Sequence, residues 1–188
     1  KVVHTIVADA GFAPRSGAGE GDGSSPQSPL DLVIVGGGVS GMAAAFEARK
    51  HNLAFEIIEA SEPFSTIINF PKAKPIFTDP VDMEPAGELQ FTEKSNVKEG
   101  LVEELRELMT EQGIKPRLAR VTHVERQGGM LRVMLAGEGK DQATTLHARR
   151  VIVAIGRSGN YRKLGVPGED LDKVYNRLHD PKDFADKD

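Results

Sequence analysis

The sequence predicts an α/β fold: a parallel sheet flanked by helices, with an inserted three-stranded antiparallel β-meander. Three observations predict it. Asp31-Leu32-Val33-Ile34-Val35 is dominated by a continuous apolar run, as in a strand buried on both faces, and it leads through a glycine-rich turn into a helix and a second strand. A long amphipathic stripe lies further along, over Leu101, Val102, Leu105, Leu108 and Met109. Three short strand-like runs then precede another buried strand, Val151-Ile152-Val153-Ala154-Ile155.

Length and composition allow such a fold. The 188 residues suffice for one medium domain plus tails, or for part of a larger enzyme. With 39% apolar and 28% charged residues the chain can bury a sizeable core. A net charge of −4 argues against a dedicated nucleic-acid binder, so no nucleic-acid partner is expected. No stretch approaches the roughly eighteen consecutive apolar residues of a membrane span. The absence of cysteine excludes disulfides, thiolate metal sites and a dithiol redox centre within this span, and it suits a reducing, cytoplasmic setting. The opening Lys1-Val2-Val3-His4-Thr5-Ile6-Val7 makes a poor signal peptide, because a histidine interrupts it and Asp9 follows soon after. A start at Lys rather than Met is expected of a fragment.

The first 29 residues read as an N-terminal tail and a flexible linker. From Ser16 to Pro29 the chain is almost wholly Gly, Ser, Pro and acid, and it buries too little apolar surface to offset its ordering entropy. The apolar run before it is either the end of a preceding domain or a strand that docks back. The globular part, residues 30–165, begins with the buried strand. The first helix carries Met42, Ala45, Phe46 and Arg49, and Asn52 suits a left-handed cap at its end. Ala54–Glu59 supplies the second strand. Pro63, Pro71, Pro75, Pro80 and Pro85 are spread through residues 61–94, which read as a long structured loop. Asn96 and Glu99 have capping-box spacing at the start of the second helix, and Gly113 ends it. The short strands fall near 121–126, 130–135 and 143–148; Gln127-Gly128-Gly129 joins the first pair, and the polar loop Gly137 to Asp141 the second. The tail from Asn160 is polar and turn-rich.

Gly36-Gly37-Gly38-Val39-Ser40-Gly41 matches G-x-G-x-x-G between a buried strand and a helix, the context that this motif requires. Gly36 allows the tight turn, Gly38 lets the backbone approach a pyrophosphate, and Gly41 lets the helix pack close to the sheet. Ala43, Ala44 and Ala45 continue that small surface. The N–H groups of the helix start, at Val39 and Ser40, face the negative phosphates. Glu59 ends the second strand, where an acid accepts hydrogen bonds from a ribose diol; it would repel a 2′-phosphate, which disfavours NADP at this site. FAD and NAD both remain. The simpler reading is a glycine turn with an incidental surface Glu, but it leaves the whole strand–loop–helix–strand–acid order unexplained.

A plain NAD-binding half would continue with further strand–helix units. This chain continues with a loop, one helix, a meander and a strand ending Ala154-Ile155-Gly156-Arg157. That order, from about Asp31 to the C-terminus, resembles the two-dinucleotide-binding-domain flavoproteins of the pyridine nucleotide-disulfide oxidoreductase superfamily, and more narrowly the thioredoxin reductase-like family. Leu164-Gly165-Val166-Pro167-Gly168-Glu169 resembles the family's segment leading into its NADPH domain, so residues 166–188 are expected to be a connector. The resemblance implies a Rossmann-like FAD/NAD(P)-binding domain in an NAD(P)H-dependent flavoprotein oxidoreductase. Nicotinamide would reduce FAD, and electrons would pass to a protein or disulfide acceptor; NAD(P)H would bind in a further domain, and a homodimer is compatible. It implies FAD contacts at Gly36, Gly38, Val39, Ser40, Gly41, Glu59 and Ala60. It adds Asn69, in an Asn69-Phe70-Pro71 element near the flavin ring, Val121 at the adenine, and Ala154 and Gly156.

The sequence departs from that pattern in places. Pro63-Phe64-Ser65-Thr66 stands where the family has Gly-Gly-Gln after the acid. No Cys pair follows Glu59, against the glutathione-reductase branch. The second glycine-rich motif and the late Gly-Asp segment are not in this span, so the isolated fragment is expected to bind FAD weakly. The alternatives are an NAD-dependent dehydrogenase domain and a non-catalytic module that senses a nucleotide.

No side chain reads as catalytic. Ser40 has no evident base partner. Tyr161 and Lys163 do not make a Tyr-x-x-x-Lys pair, and Arg157, Arg162 and Lys163 read as a solvated basic patch. The five histidines are scattered, with His51 at a helix end and His123 facing solvent. Asp79 and Asp82 have no His near them in sequence. No metal site is expected.

Overall fold

The computed structural model describes residues 1–9, 11–13, 21–77, 87–90, 97–136, 144–156, 162–175 and 180–185. Asp79, Pro80, Asp82, Pro85, Asn96, the loop Gly137 to Asp141, Arg157 and Tyr161 lie outside the described residues.

The strands are β1 (Leu30–Val35), β2 (Phe55–Glu59), β3 (Arg117–Leu118), β4 (Val121–Gln127), β5 (Met130–Leu135) and β6 (Thr145–Val153). They form one six-stranded sheet in the order β3-β2-β1-β6-β5-β4. The apolar run of β1 is central and buried along its whole length, parallel to β2 on one side and to β6 on the other. Its side chains alternate between two cores. Leu32 and Ile34 join Met42, Phe46, Ile57 and Leu105 on the helical face. Val33 and Val35 join Val133, Leu135 and Leu146 on the other. The α/β class with a mixed sheet is therefore what the residue pattern predicts.

The expected third meander strand and the strand after it are one continuous strand, and the latter part is not buried as expected: β6 ends at Val153, which is 63% exposed, and Ile155 beyond it is 64% exposed. Ala148 pairs with Leu131 of antiparallel β5 and with Leu30 of parallel β1. Arg149 and Arg150, which break the apolar pattern, are held rather than solvated. Arg149 Nη1 lies 3.0 Å from the buried carboxylate of Asp31 and donates to Ala13 O at 2.6 Å; Arg150 donates to Asp9 at 2.9 Å. Both guanidinium groups lie over the buried ring of Phe12, at 4.5 and 5.5 Å.

The N-terminal apolar run is not a strand: it forms a helix, α1 (Val2–Ala8), that docks on α2 (Val39–Lys50) through buried Val3. Residues 21–29, expected as flexible linker, form a compact turn. Gly23 N–H donates to Ser28 O at 2.9 Å, and His147 N–H donates to Gly23 O at 2.8 Å. Backbone pairing with β6 thus supplies the order that apolar burial could not.

Helix α4 (Lys98–Glu111) buries Leu101, Val102 and Leu105, but its N-cap is Val97. Glu99 does not serve a capping box; its carboxylate accepts the Ala73 N–H at 3.1 Å. Gly113, at φ 61°, follows the helix end, and Asn52, at φ 52°, follows that of α2. Within the proline-rich loop lies a single helical turn, α3 (Ser65–Ile68).

Candidate functional site

Strands β1, β2 and β6 end side by side, and the segments that leave them form the rim of a cleft. The chain turns to opposite sides of β1 on its way to β2 and β6, the arrangement that opens a crevice beyond the strand ends. The cleft encloses about 550 Å³ and is lined by Gly36, Gly38, Glu59, Ala60, Ser61, Ser65, Thr66, Arg120, Val121, Ala154 and Gly156, among others.

The glycines of the loop differ in what a side chain would meet. At Gly36, φ 109°, a Cβ would lie 2.4 Å from Ala154 O, and at Gly41 it would lie 1.8 Å from Gly36 O. Both are backbone contacts that cannot give way, so loop, helix and β6 approach this closely only with glycine. At Gly38 a Cβ would meet nothing within 4 Å. That open space lies at the N-cap of α2, where first-turn N–H groups have no intrahelical acceptor and the helix end is electropositive.

Glu59 is 8% exposed and ties the loop to β2. Its Oε2 accepts the Gly37 N–H at 2.6 Å, and its Oε1 accepts the Ser61 N–H at 2.9 Å. Oε1 also accepts the Ser61 hydroxyl at 3.2 Å, so about one of the carboxylate's roughly four lone-pair sites remains. Phe64 holds the same loop from the other side. It is buried at φ 62°, and its N–H donates to Gly37 O at 3.0 Å. The segment that departs from the family's Gly-Gly-Gln is thus a structural clamp on the glycine loop. Ala119 N–H donates to Glu59 O at 2.9 Å, which brings Arg120 and Val121 to the cleft wall.

Of the residues singled out in the sequence, Gly36, Gly38, Glu59, Ala60, Val121, Ala154 and Gly156 line this cleft. Gly41 is buried beneath the loop, and Val39 and Ser40 are exposed on the first turn of α2. Ser40 borders a second concavity with Ala154 and Gly156. Asn69 is exposed at the C-cap of α3 and does not line the cleft. Sequence reasoning missed Ser61, Ser65, Thr66 and Arg120. Ser61 carried a signal, standing two residues after the acid, whereas Arg120 is placed only by tertiary pairing, its carbonyl accepting the Ala136 N–H.

Lys98 was also missed. It is 6% exposed, and its ammonium donates to Ile68 O at 2.7 Å and to Phe70 O at 2.8 Å, fixing the backbone on both sides of Asn69. A larger groove of about 900 Å³ runs along α4 beside it, but it shares no residue with the glycine loop.

The match to known proteins agrees with this geometry. Residues 33–188 match the family model described as pyridine nucleotide-disulphide oxidoreductase. The chain belongs to that family. No curated protein sequence matches it significantly. Among solved structures, the bacillithiol disulfide reductase Bdr (YpdA) from Bacillus cereus is 25% identical with a TM-score of 0.69, covering 80% of this chain and 47% of that one. The Staphylococcus aureus Bdr gives 22% identity and a TM-score of 0.67 over 81% of this chain and 46% of that one. Thioredoxin reductase from Streptococcus pyogenes is 26% identical, with a TM-score of 0.51, covering 74% and 39% respectively. The chain spans less than half the length of each of these proteins.

Proposed function

We propose that residues 30–165 are the FAD-binding part of an NAD(P)H-dependent, thioredoxin reductase-like flavoprotein oxidoreductase. The observation that carries this reading is the open space at Gly38 beside Glu59, a cradle that a side chain would fill, set at a helix N-terminus. The donor set fits the group: helix N–H groups for pyrophosphate and a carboxylate for ribose hydroxyls. The chemistry that FAD supplies is electron transfer from NAD(P)H to a protein or disulfide acceptor.

The chain's own residues grip and orient. The N–H groups at Val39, Ser40 and Gly41 meet the pyrophosphate, Glu59 accepts from the ribose with Ala60 beside it, and Val121 flanks the adenine. Ala154 and Gly156 form the facing wall. Asn69, which the resemblance puts near the flavin ring, lies outside the cleft lining, on backbone fixed by Lys98. Glu59 disfavours NADP in this cleft, so NADH or NADPH is assigned to a further domain reached through residues 166–188. Leu164, Val166, Leu171, Val174 and Tyr175 are exposed along that approach, as expected of a surface that another domain covers. By this reading the protein works in the cytoplasm, and a homodimer is compatible with it. No helix among the described residues is long and apolar enough to cross a membrane.

The test is spectroscopic. Protein purified with its natural flanking sequence should show flavin absorbance that NADH or NADPH bleaches. Tight NAD binding without flavin affinity would replace this reading with a dehydrogenase domain. Bound FAD that neither nicotinamide reduces would point to a sensing module. Residues 1–188 alone should hold FAD only weakly; a stoichiometric, tightly held flavin there would contradict the need for further segments.

A further inference from the structure

Away from the cleft, the far end of α2 carries a second constellation. Glu47 and His51 stand four residues apart and so share one face of that helix. Helix α1 docks against them and brings in His4. One ligand-capable atom from each of the three lies within 4.8 Å of the other two. His4 Nε2 is 2.7 Å from Glu47 Oε2, and the two imidazole rings meet edge to face, 5.2 Å between centroids.

Glu47 is buried, and its Oε1 accepts the Glu88 N–H at 2.9 Å. That bond fixes the carboxylate and leaves Oε2 toward His4. Lys50, the adjacent cation, pairs with the Glu88 carboxylate. His51 is half-buried, yet its Nε2 is fully enclosed without a hydrogen-bond partner, alone in this among the side chains of the described residues. An enclosed, unpaired imidazole nitrogen costs free energy. The His4–Glu47 contact explains the docking of α1 but leaves His51 unexplained.

We propose that His4, Glu47 and His51 form a mononuclear site for a divalent transition metal, with zinc the fitting ion. Two imidazoles and one carboxylate are a donor set that zinc accepts, and three protein ligands leave one coordination position open. His4, with its side chain 58% exposed, lies on the solvent side, so water completes the shell. Zinc bonds of about 2.0–2.2 Å place tetrahedral donors on the order of 3.4 Å apart. His4 and Glu47 stand closer than that, and all three donor atoms lie within 4.8 Å of one another, so a rotation of the exposed His4 side chain is the adjustment that bonding geometry asks for. The Glu88 N–H is then the outer contact that orients the carboxylate ligand. Bound metal would staple α1 to the helix that carries the glycine loop at its other end. The site does not depend on the FAD reading.

The experiment is zinc titration of untagged, chelator-stripped protein by calorimetry, with cobalt(II) as a spectroscopic probe. We expect one equivalent of zinc per chain and the visible absorption of four-coordinate cobalt. His4→Ala and His51→Ala should each weaken zinc affinity at least tenfold and remove the cobalt band, while His123→Ala leaves both unchanged. Glu47→Gln should act likewise; because Glu47 is buried, its circular dichroism is compared with wild type, and the exposed His4→Ala carries the test should that variant misfold. Failure of the wild type to bind either metal overturns the proposal. So does stoichiometric binding that survives His4→Ala/His51→Ala.

Discussion

The two ends of α2 are built on opposite principles. The N-terminal end is defined by side chains that must be missing: Gly36 and Gly41 sit against backbone atoms, and Gly38 opens onto empty space. The C-terminal end is defined by side chains that gather, with Glu47 and His51 meeting His4. A loop packed through its backbone tolerates no added atom at Gly36 or Gly41, whereas a side-chain cluster can lose a member without moving the helix. Substitutions should therefore separate into those that break the fold, those that spare the fold but empty the cleft, and those that do neither.

The largest effect is expected at Gly41. A Cβ 1.8 Å from Gly36 O forces helix and strand apart, so Gly41→Ala should cost about 3 kcal/mol or more and abolish flavin binding together with the cooperative thermal transition. An unchanged melting temperature would show that the loop has slack. Next comes Glu59→Ala, which leaves the buried Gly37 N–H without its acceptor. It should destabilise by about 1–3 kcal/mol in urea titrations and also weaken FAD binding. Lys98→Met should cost roughly 1–2 kcal/mol by orphaning the Ile68 and Phe70 carbonyls, with α3 losing protection in hydrogen exchange before the sheet does.

Gly38→Ala sharpens the contrast most. With open space and φ −73°, the fold should change by less than about 0.5 kcal/mol, while FAD affinity falls at least tenfold. Equal losses of stability and affinity would mean that Gly38 is structural, like its neighbours. The smallest effect belongs to the other end: Lys50→Ala breaks only the exposed pair with Glu88 and should leave the melting temperature unchanged.

What the sequence made legible was whatever is local. The strand–glycine–helix–strand unit, the stripe of α4 and the hairpin at Gly128-Gly129 each announce themselves within a few residues, and all are present. Errors arose where distant pairing overrides local pattern. Arg149 and Arg150 look like a break between two strands, yet Asp31, Asp9 and Phe12 hold them, so β6 runs through. Gly21 to Pro29 has the composition of a linker, but β6 supplies the hydrogen-bond partner that orders it. The two-residue β3 is too short to have a period. Glu47 and His51 had readable spacing, but His4 reaches them only because α1 folds back. Within the cleft, the glycines and the acid were legible, while Phe64 and Lys98 act through backbone atoms that no residue pattern reveals.

The double pairing of β6 also governs the order in which the protein can be completed. By the time β2 has left the ribosome, β1 has one neighbour, but its other edge waits until Thr145–Val153 is made. Throughout that interval the apolar centre of the sheet presents unpaired backbone to any other strand, the condition under which nascent chains aggregate. A chain interrupted before Thr145 would carry a complete glycine loop and acid yet keep that edge open. Synthesis of this sheet therefore stays hazardous until β6 is laid down, and the meander sets how long the hazard lasts.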